Sequence, residues 1–503
     1  MNIEHVEKSY QELESDSTLQ NLIAQANARY ILYNTEESKE NFPRYTIKDE
    51  QLNILAFKYL NIGCNYFSEH NYLKASHSLE KGALILEYIH GSIHIQTKNK
   101  KLFCLISALS YYVCFQYSKA FILIGKLESD TMISSLVSLF LNRKFDQLLS
   151  EIDKLITNSS YGDEYLAEHF EEDNATKIYE IIIAKSLNYY VQFYQTGNKD
   201  FLEIAKKDLV NLQEVAAMRG EPDVWWVIRL LLLIIDGFKE SSLWYVLGNY
   251  FNTEDKLPLK YIQSLVYKNG SITELFLTQR NSLPKVLNNK QGSIVSIPTS
   301  SGKTRIGEIA ILNCLLNEPK AKILFIAPYR SLAYEIENSF DEIFSNLDVS
   351  VSHLYGGSLF SKLDERIIDE SSVIVATPEK AKALFRSNED ILSCIKLVII
   401  DEGHLLGTDK RLIVNEMFYE ELKYHVKANG GRFLLLSAVL PNAEDLSEWL
   451  TDSTDNVYKE NWRPSDERIG IMEWNGVSVN LNWKSTDAER NSFNPLLSKE
   501  ITP

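Results

Sequence analysis

The residues with the clearest chemical potential form the run Pro298-Thr-Ser-Ser-Gly-Lys-Thr304. It follows the apolar segment Ser293–Ile297, so we expect a buried strand, a loop and then a helix that begins near Thr304. At such a junction, backbone N–H groups and the helix N-terminus can hold the β- and γ-phosphates of a nucleotide. Lys303 would add a positive charge, and Thr304 a hydroxyl ligand for Mg²⁺. The candidate phosphate-site residues are Thr299, Ser300, Ser301, Gly302, Lys303 and Thr304.

This loop departs from the usual pattern at one position. Ile297 stands where the first glycine is normally found, so the loop alone leaves nucleotide binding undecided. What decides the matter is the order of motifs that follows it in the chain.

Two carboxylates later in the chain complete the chemistry. Asp401 and Glu402 follow the apolar run Lys396–Ile400, and parallel sheets bind ligands at the carboxyl ends of their strands. Asp401 could hold Mg²⁺, directly or through water, while Glu402 could orient and deprotonate an attacking water. Alone, the pair fits an acidic turn equally well. Combined with the phosphate loop, it predicts hydrolysis of Mg·ATP.

The elements that must position these residues are predicted from about Ser271 onward. Short β-rich runs, apolar on both faces, alternate there with helical stretches, as in a parallel sheet covered by helices. The alternation predicts a doubly wound α/β domain. The predicted strands are Ser293–Ile297, Ala321–Ala327, Val349–Leu354, Ser372–Ala376, Lys396–Ile400 and Arg432–Ser437.

Residues 1–270 contain few Gly or Pro residues that would interrupt an element, and their apolar residues recur mainly at helical spacing. Between Tyr59 and Gly82, large side chains on one helix face meet small ones on the next, with Gly63 allowing close approach. This spacing resembles a tetratricopeptide-type hairpin. A similar pattern recurs at Ala108–Ile124, and a third candidate repeat is Leu136–Leu155. An all-α domain of repeats and an irregular helical bundle both remain open.

Composition excludes several classes of protein. The 503 residues carry a formal charge of −16, which argues against a general polyanion-coating protein, although a local basic groove could still bind nucleic acid. The five cysteines contain no close pair, which indicates buried thiols in a reducing compartment. The run Val224–Ile235 is too short for a membrane span and predicts a buried helix. We expect a cytoplasmic protein with no membrane association.

The order of these motifs resembles the first RecA-like domain of a superfamily 2 helicase of the DExH type, closest to the superkiller-like branch. Pro298–Thr304 resembles motif I, Asp401–His404 motif II and Ser437–Asn442 motif III. Further matches are Ala327–Ala333 (motif Ia), Gly356-Gly357 (a glycine motif), Thr377–Lys380 (motif Ib) and Asn461–Pro464 (the strand that leaves the domain). The resemblance implies a RecA-like P-loop fold with ATP and Mg²⁺ as cofactors.

The resemblance also implies roles for single residues. Gln279 would read the adenine base, and His404 would link the nucleotide site to motif III. The implied catalytic residues are Glu402, Lys303 and His404, and the implied metal ligands are Thr304 and Asp401. Contacts with a DNA or RNA single strand would come from Pro328, Arg330, Gly357, Thr377 and Pro378. Coupling of hydrolysis to strand movement would use Ser437 and Ala438.

Purely structural roles stay open as alternatives for some of these residues. From the residues alone, Arg330 could form a surface salt bridge, Gly356-Gly357 a simple turn and His404 an ordinary packing contact. Motif III also departs from the usual Ser-Ala-Thr, because its third residue is Val439. Valine keeps the shape of threonine but lacks the hydroxyl, which puts the coupling in question.

The expected organisation is a helical domain at 1–265, the first RecA-like domain at 266–460 and a linker toward a second RecA-like domain at 461–503. Because the sequence ends at Pro503, soon after motif III, we expect a fragment of a longer motor. Alone it would lack the transition-state arginines of the second domain and be incomplete for hydrolysis.

Together these features predict an ATP-dependent nucleic-acid helicase or translocase. A long helical extension ahead of such a motor resembles bacterial antiphage-defence helicases, the Hachiman type among them. The main alternative is a nucleic-acid-stimulated ATPase switch that regulates a protein partner, such as an effector nuclease, through the helical domain without unwinding. A third alternative is a helical adaptor with a degenerate nucleotide domain. The set Gln279, Lys303, Thr304, Asp401 and Glu402 argues against it.

Overall fold

The computed structural model describes most of the chain. The described residues are 3–34, 49–91, 100–125, 127, 131–158, 172–352, 362–387, 393–405, 410–463, 470–474, 479–483 and 499–501. By its internal contacts, the chain divides into one unit of Met1–Gly237 with Pro464–Pro503 and a second of Phe238–Arg463. The domain limits 1–265, 266–460 and 461–503 stay predictions. Within the described part, no helix has both the length and the apolar character needed to cross a bilayer.

The first unit is built mainly from helices. In chain order they are α1 (Ile3–Ser15), α2 (Ser17–Asn34), α3 (Asp49–Ser68), α4 (Tyr72–His90), α5 (Lys100–Val113), α6 (Tyr117–Gly125), α7 (Met132–Leu141), α8 (Phe145–Asn158), α9 (Glu172–Thr196), α10 (Asp200–Arg219) and α11 (Pro222–Ser241), the last of which continues into the second unit. The run Val224–Ile235 lies in α11 and is largely buried, as predicted.

Three helix pairs in this unit share one turn geometry: α3 with α4, α5 with α6, and α7 with α8. A non-glycine residue with positive φ follows the first helix of each pair, namely His70 (60°), Phe115 (63°) and Arg143 (55°). Its N–H donates to the carbonyl three residues earlier, at 2.9–3.0 Å in all three turns. The same hydrogen bond therefore closes each hairpin.

Side chains repeat with the turns in the first two hairpins. Lys74 Nζ lies 5.6 Å from the centre of the Tyr66 ring, and Lys119 Nζ lies 5.4 Å from that of Tyr111. Gly63 allows the close approach predicted for it, because a Cβ there would lie 2.6 Å from Leu79 Cγ. These recurring features favour the repeat interpretation over an irregular bundle.

The second unit contains a six-stranded sheet in the order β3-β2-β4-β5-β1-β6, with all neighbours parallel. Its strands are β1 (Gly292–Ser296), β2 (Lys322–Ile326), β3 (Val373–Ala376), β4 (Ile395–Ile400), β5 (Arg432–Ser437) and β6 (Val457–Lys459). A separate antiparallel sheet in the first unit comprises β7 (Gly470–Trp474), β8 (Val479–Trp483) and β9 (Lys499–Ile501).

Helices cover both faces of the parallel sheet. The helices of this unit that begin after α11 are α12 (Leu243–Gly248), α13 (Lys256–Val266), α14 (Leu277–Leu287), α15 (Lys303–Asn317), α16 (Arg330–Phe344), α17 (Lys362–Glu370), α18 (Pro378–Ser387), α19 (Lys410–Ala428) and α20 (Ala443–Thr451). Alternate strand residues such as Leu324 and Val398 share a core with α17–α20. On the other face, Phe325 packs edge to face with Phe340 of α16, with the ring centres 5.2 Å apart. The strands are apolar on both faces for this reason, and the predicted RecA-like α/β fold behind a helical region is confirmed.

Two strand predictions were wrong. The described part of Val349–Leu354 forms only an isolated bridge between Val351 and Val373. A side chain replaces the next backbone partner there, since the Val375 N–H donates to Ser352 Oγ at 3.0 Å. Residues 461–463, the described part of Asn461–Pro464, form no strand. The strand that precedes them is β6, whose residues are not buried and lack a strong apolar pattern.

The predicted burial of the thiols is confirmed for four of the five cysteines. Cys64, Cys104, Cys114 and Cys314 are buried free thiols. Cys394 is exposed because it lies just before β4. Burial begins at Ile395, the first residue of that strand.

Candidate functional site

The predicted site residues gather at one edge of the parallel sheet. β1 leads into the phosphate loop, β2 into Pro328, β3 into Thr377, β4 into Asp401, and β5 ends at Ser437. Parallel strands end at a common edge, so these groups lie on the same side of the domain. The strand order places β4 and β5 between β2 and β1. The two carboxylates therefore stand between the phosphate loop and the segment after β2.

The phosphate loop follows the sharp course that such a cradle requires. Ser300 and Gly302 have φ values of 67° and 77°, and α15 begins at the next residue, Lys303. A Cβ at Gly302 would lie only 2.1 Å from Gln279 Nε2, so the backbone conformation favours glycine and a larger residue would have to displace the Gln279 side chain. Ile297 simply extends β1, since its N–H donates to the Ser437 carbonyl at 3.1 Å.

The loop residues differ in exposure. Thr299 and Ser300 are exposed and Ser301 is buried, while Lys303 and Thr304 in the first turn of α15 are half-buried. The Ser301 hydroxyl donates to the Trp462 carbonyl at 3.5 Å. The partly exposed N-terminus of α15 is the type of surface that attracts phosphate.

Lys303 is held against the proposed general base. Its Nζ lies 3.2 Å from Glu402 Oε2, and the two side chains are 10% and 25% exposed. Partial burial strengthens the attraction between opposite charges relative to water. Glu402 has a φ of 53°, a left-handed conformation that is uncommon without glycine. This turn lets the Glu402 N–H donate to Asp401 Oδ1 at 2.9 Å.

Asp401 has the environment of a cation ligand. Burial, together with the negative charge of Glu402, raises its pKa to about 6, against the lowering effect of the Glu402 N–H and of Lys303. A divalent cation would favour the ionised carboxylate, so the residues present fit Mg²⁺. In the part of the chain that the structure describes, no three His, Cys, Asp or Glu side chains converge as a metal cage. One carboxylate, the Thr304 hydroxyl and nucleotide phosphates are a donor set that Mg²⁺ commonly accepts.

His404 bridges the acidic pair and the end of β5. Its Nδ1 lies 3.2 Å from Glu402 Oε2 and 3.5 Å from Ser437 Oγ. Ser437 is fully buried. Ala438 lies next to it, and its carbonyl accepts a hydrogen bond from Ser296 Oγ at 3.3 Å. Lys303, Glu402, His404 and Ser437 therefore form one continuous line of polar contacts from motif I to motif III.

Gln279 holds the phosphate loop. Its Nε2 donates to the Gly302 carbonyl at 3.0 Å, and its Oε1 accepts from the Phe276 N–H at 2.8 Å. The side chain thus ties the start of α14 to the loop. The ring of Phe276 lies beside that of Trp462, with 6.1 Å between their centres. Adenine recognition by Gln279 stays a prediction.

Two of the predicted strand-binding residues line a shallow cleft. Pro328 and Pro378 line it together with Asp401 and Glu402. Thr377 is buried, and its carbonyl accepts from the Ala381 N–H at 2.9 Å in the first turn of α18. Arg330 is exposed at the start of α16, and no described carboxylate forms an ion pair with it. Gly357 lies outside the described residues.

Similarity to known proteins agrees with this geometry. Residues 277–446 match the family described as DEAD/DEAH box helicase. The chain carries a DEAD/DEAH box helicase domain.

Relatives extend the match beyond this helicase domain. The chain is 40% identical to Hachiman protein HamB of Bacillus cereus over an alignment 503 residues long, which covers 99% of this chain and 44% of that protein. It is 33% identical over 218 residues to ATP-dependent DNA helicase Hel308 of Thermococcus kodakarensis, covering 43% of this chain and 18% of the relative. The chain thus spans less than half the length of either protein.

Several residues that position the helicase domain's phosphate loop were missed from the sequence. Glu308 of α15 is fully buried, accepts from Tyr261 Oη at 3.1 Å and forms an ion pair with Arg305. Ser296 at the end of β1 accepts from the Leu440 N–H at 2.8 Å. The spacing of Arg305 and Glu308 suggests a helical ion pair. Nothing in the sequence places Tyr261, on a separate helix, beside them.

Proposed function

We propose that the helicase domain binds Mg·ATP and couples its hydrolysis to movement along a nucleic-acid single strand. The observation that carries this proposal is the line of contacts from Lys303 through Glu402 and His404 to Ser437, with distances of 3.2 to 3.5 Å. A change at the phosphate loop can reach motif III through this line without rearranging the sheet.

The roles follow from the charges of these side chains. Nucleotide phosphates would compete with Glu402 for Lys303, which would leave Glu402 free to orient a water and accept its proton. His404 would follow Glu402 or remain on Ser437. Mg²⁺, when bound, would neutralise phosphate charge. Single-strand phosphates would contact Arg330 and the backbone around Thr377 and Pro378.

The relatives support two finer proposals. The name of the Thermococcus kodakarensis relative specifies DNA, so we propose DNA as the track. Similarity to the Hachiman protein over 99% of this chain supports a role in defence against phage. A helical unit ahead of the motor could hold a protein partner such as a nuclease.

Three variants test the site. Glu402→Gln should keep Mg·ATP binding but lower hydrolysis by about 10²-fold or more, because it removes the base and keeps the shape. Lys303→Ala should weaken binding as well, and His404→Ala should reduce stimulation by single-stranded DNA more than basal hydrolysis. Binding is measured with a fluorescent nucleotide, and hydrolysis by phosphate release. Lys320→Ala, at an exposed lysine, is the control, and normal turnover by Glu402→Gln would contradict the proposal.

Hydrolysis by the 503 residues alone should be slow. Arginines supplied by a second RecA-like domain are worth roughly 10³–10⁵ in rate in comparable phosphoryl-transfer enzymes. Single-turnover hydrolysis by this chain, compared with a polypeptide extended to include such a domain, measures the difference. Equal rates would contradict this part of the proposal.

An ATPase switch that regulates a partner without unwinding is the second candidate. Val439 favours it, since this side chain is 52% exposed and lacks the hydroxyl of the usual motif III. Strand displacement and DNA-stimulated hydrolysis, measured on the same preparation, separate the two. Hydrolysis without strand displacement would favour the switch, and displacement regained by Val439→Thr would assign this behaviour to the missing hydroxyl.

A further inference from the structure

A groove of about 470 Å³ lies between α18 and α19 of the helicase domain. Its floor consists of Phe385, Phe418 and Leu422, which belong to the core beneath the sheet. The groove is therefore anchored on rigid packing. It contains none of the residues assigned to ATP or to the single strand.

One wall of the groove is an exposed apolar face of α19. Val414 and Met417 line the groove and are 49% and 69% exposed. Ile413 and Tyr424 are exposed on the same helix, and positions 413, 417 and 424 project from one side of it. Large apolar side chains that cluster on a helix surface usually mark an interaction site.

The opposite wall is cationic. Lys382 and Arg386 lie one turn apart on α18. Lys382 Nζ donates to Asn415 Oδ1 at 2.7 Å and sits 5.6 Å from the centre of the Phe418 ring, whereas Arg386 is exposed. Glu421 and His425 lie on α19, so the positive charge is confined to the α18 side of the groove. This positive wall contrasts with the formal charge of −16 for the chain.

We propose that this groove docks an amphipathic α-helix from a partner protein, with apolar side chains at i, i+4 and i+7 facing α19 and acidic side chains facing Arg386 and Lys382. A helix laid in an apolar groove is a recurrent mode of recognition. The charged wall would orient the helix and select an acidic one.

Two other occupants fit less well. Nucleic acid would need exposed ring faces for base stacking, but Phe385 and Phe418 are buried, and the exposed apolar side chains of the lining, Val414 and Met417, are aliphatic. A second copy of this chain, docked through the same patch, would bring two cationic walls together at an isologous interface. Charge complementarity therefore favours an acidic partner.

A pair of labelled peptides tests the proposal on the whole chain. Both peptides are helical with Leu at i, i+4 and i+7, and they carry either Glu or Lys along one flank. Fluorescence anisotropy should show the acidic peptide binding about tenfold more tightly. Met417→Asp should weaken it by at least about tenfold, because it places a charge against the apolar face. Met218→Asp, at an 85% exposed methionine on α10, should have no effect.

Charge reversal makes the test specific. Arg386→Glu should weaken the acidic peptide and strengthen the basic one, with circular dichroism and ATP binding unchanged. Equal affinity for the two peptides, or no binding of either, would overturn the proposal. So would competition by a single-stranded oligonucleotide. A dimer in sedimentation that Met417→Asp abolishes would assign the groove to a second copy instead.

Discussion

At the scale of single residues, the phosphate loop depends on a glutamine as much as on its lysine. Gln279 donates to the Gly302 carbonyl at 3.0 Å from outside the loop. Gly302 combines a φ of 77° with a Cβ position that Gln279 already fills. Loop conformation and the position of α14 are therefore set at one point, where a larger residue would displace Gln279.

A matched pair of glycines tests this statement. Gly302→Ala and Gly430→Ala both place alanine at positive φ, which costs roughly 1–2 kcal/mol of unfolding free energy. Nothing lies within 4 Å of a Cβ at Gly430, so that variant should lose stability and keep its affinity for ATP. Gly302→Ala should lose about tenfold or more in affinity, because it also displaces Gln279. Urea unfolding and nucleotide titration measure the two effects, and equal affinities would refute the argument.

At the scale of elements, a buried polar network fixes the helix that carries the lysine. Tyr261 on α13 donates to Glu308 on α15, and Arg305 pairs with the same carboxylate. Burial raises the pKa of Glu308, while Arg305 and Tyr261 act in the opposite direction. Proximity to Glu308 raises the pKa of Arg305 against the effect of burial. Each member therefore depends on the others.

Replacing Arg305 alone should lower the free energy of unfolding more than replacing Arg305 and Glu308 together. Arg305→Met leaves the Glu308 carboxylate buried without its cation, an effect of about 3–5 kcal/mol on unfolding free energy. Arg305→Met combined with Glu308→Met should be less destabilising than the single change. Lys256→Met removes an exposed partner of Asp348 from the same helix as Tyr261 and should cost under about 1 kcal/mol. Urea denaturation orders the three, and a double variant less stable than Arg305→Met would contradict the network.

Elements also show how far the sequence can be interpreted. Five of the six strands predicted from apolar runs form, because a strand covered on both faces must be apolar throughout. β6 was not predicted because it lacks this apolar pattern: it lies at the sheet edge and none of its residues is buried. The site residues at strand ends follow from motif spacing. The contacts of Tyr261 and Ser296 join segments that are distant in the chain, so no local sequence pattern predicts them.

At the scale of the whole molecule, net charge limits how nucleic acid can bind. The chain carries a formal charge of −16, so a single strand is repelled at long range and must be held by local contacts. The proposed contacts include one cation, Arg330, beside backbone N–H groups near Thr377. Hydrogen bonds from backbone groups release few counterions, so the affinity should depend only weakly on salt.

A salt titration measures how strongly the affinity for a single strand depends on salt. For single strands, the slope of log affinity against log salt is about −0.7 for each phosphate neutralised. Arg330→Ala should make the slope shallower by about 0.7 while also weakening binding, because it removes one such contact. Arg386→Ala removes an exposed cation from the groove between α18 and α19, and there the slope should not change. Anisotropy of a labelled oligonucleotide over a range of KCl concentrations measures both. If Arg386→Ala flattened the slope and Arg330→Ala did not, the strand would have to cross the groove on α18, and both proposed surfaces would be wrong.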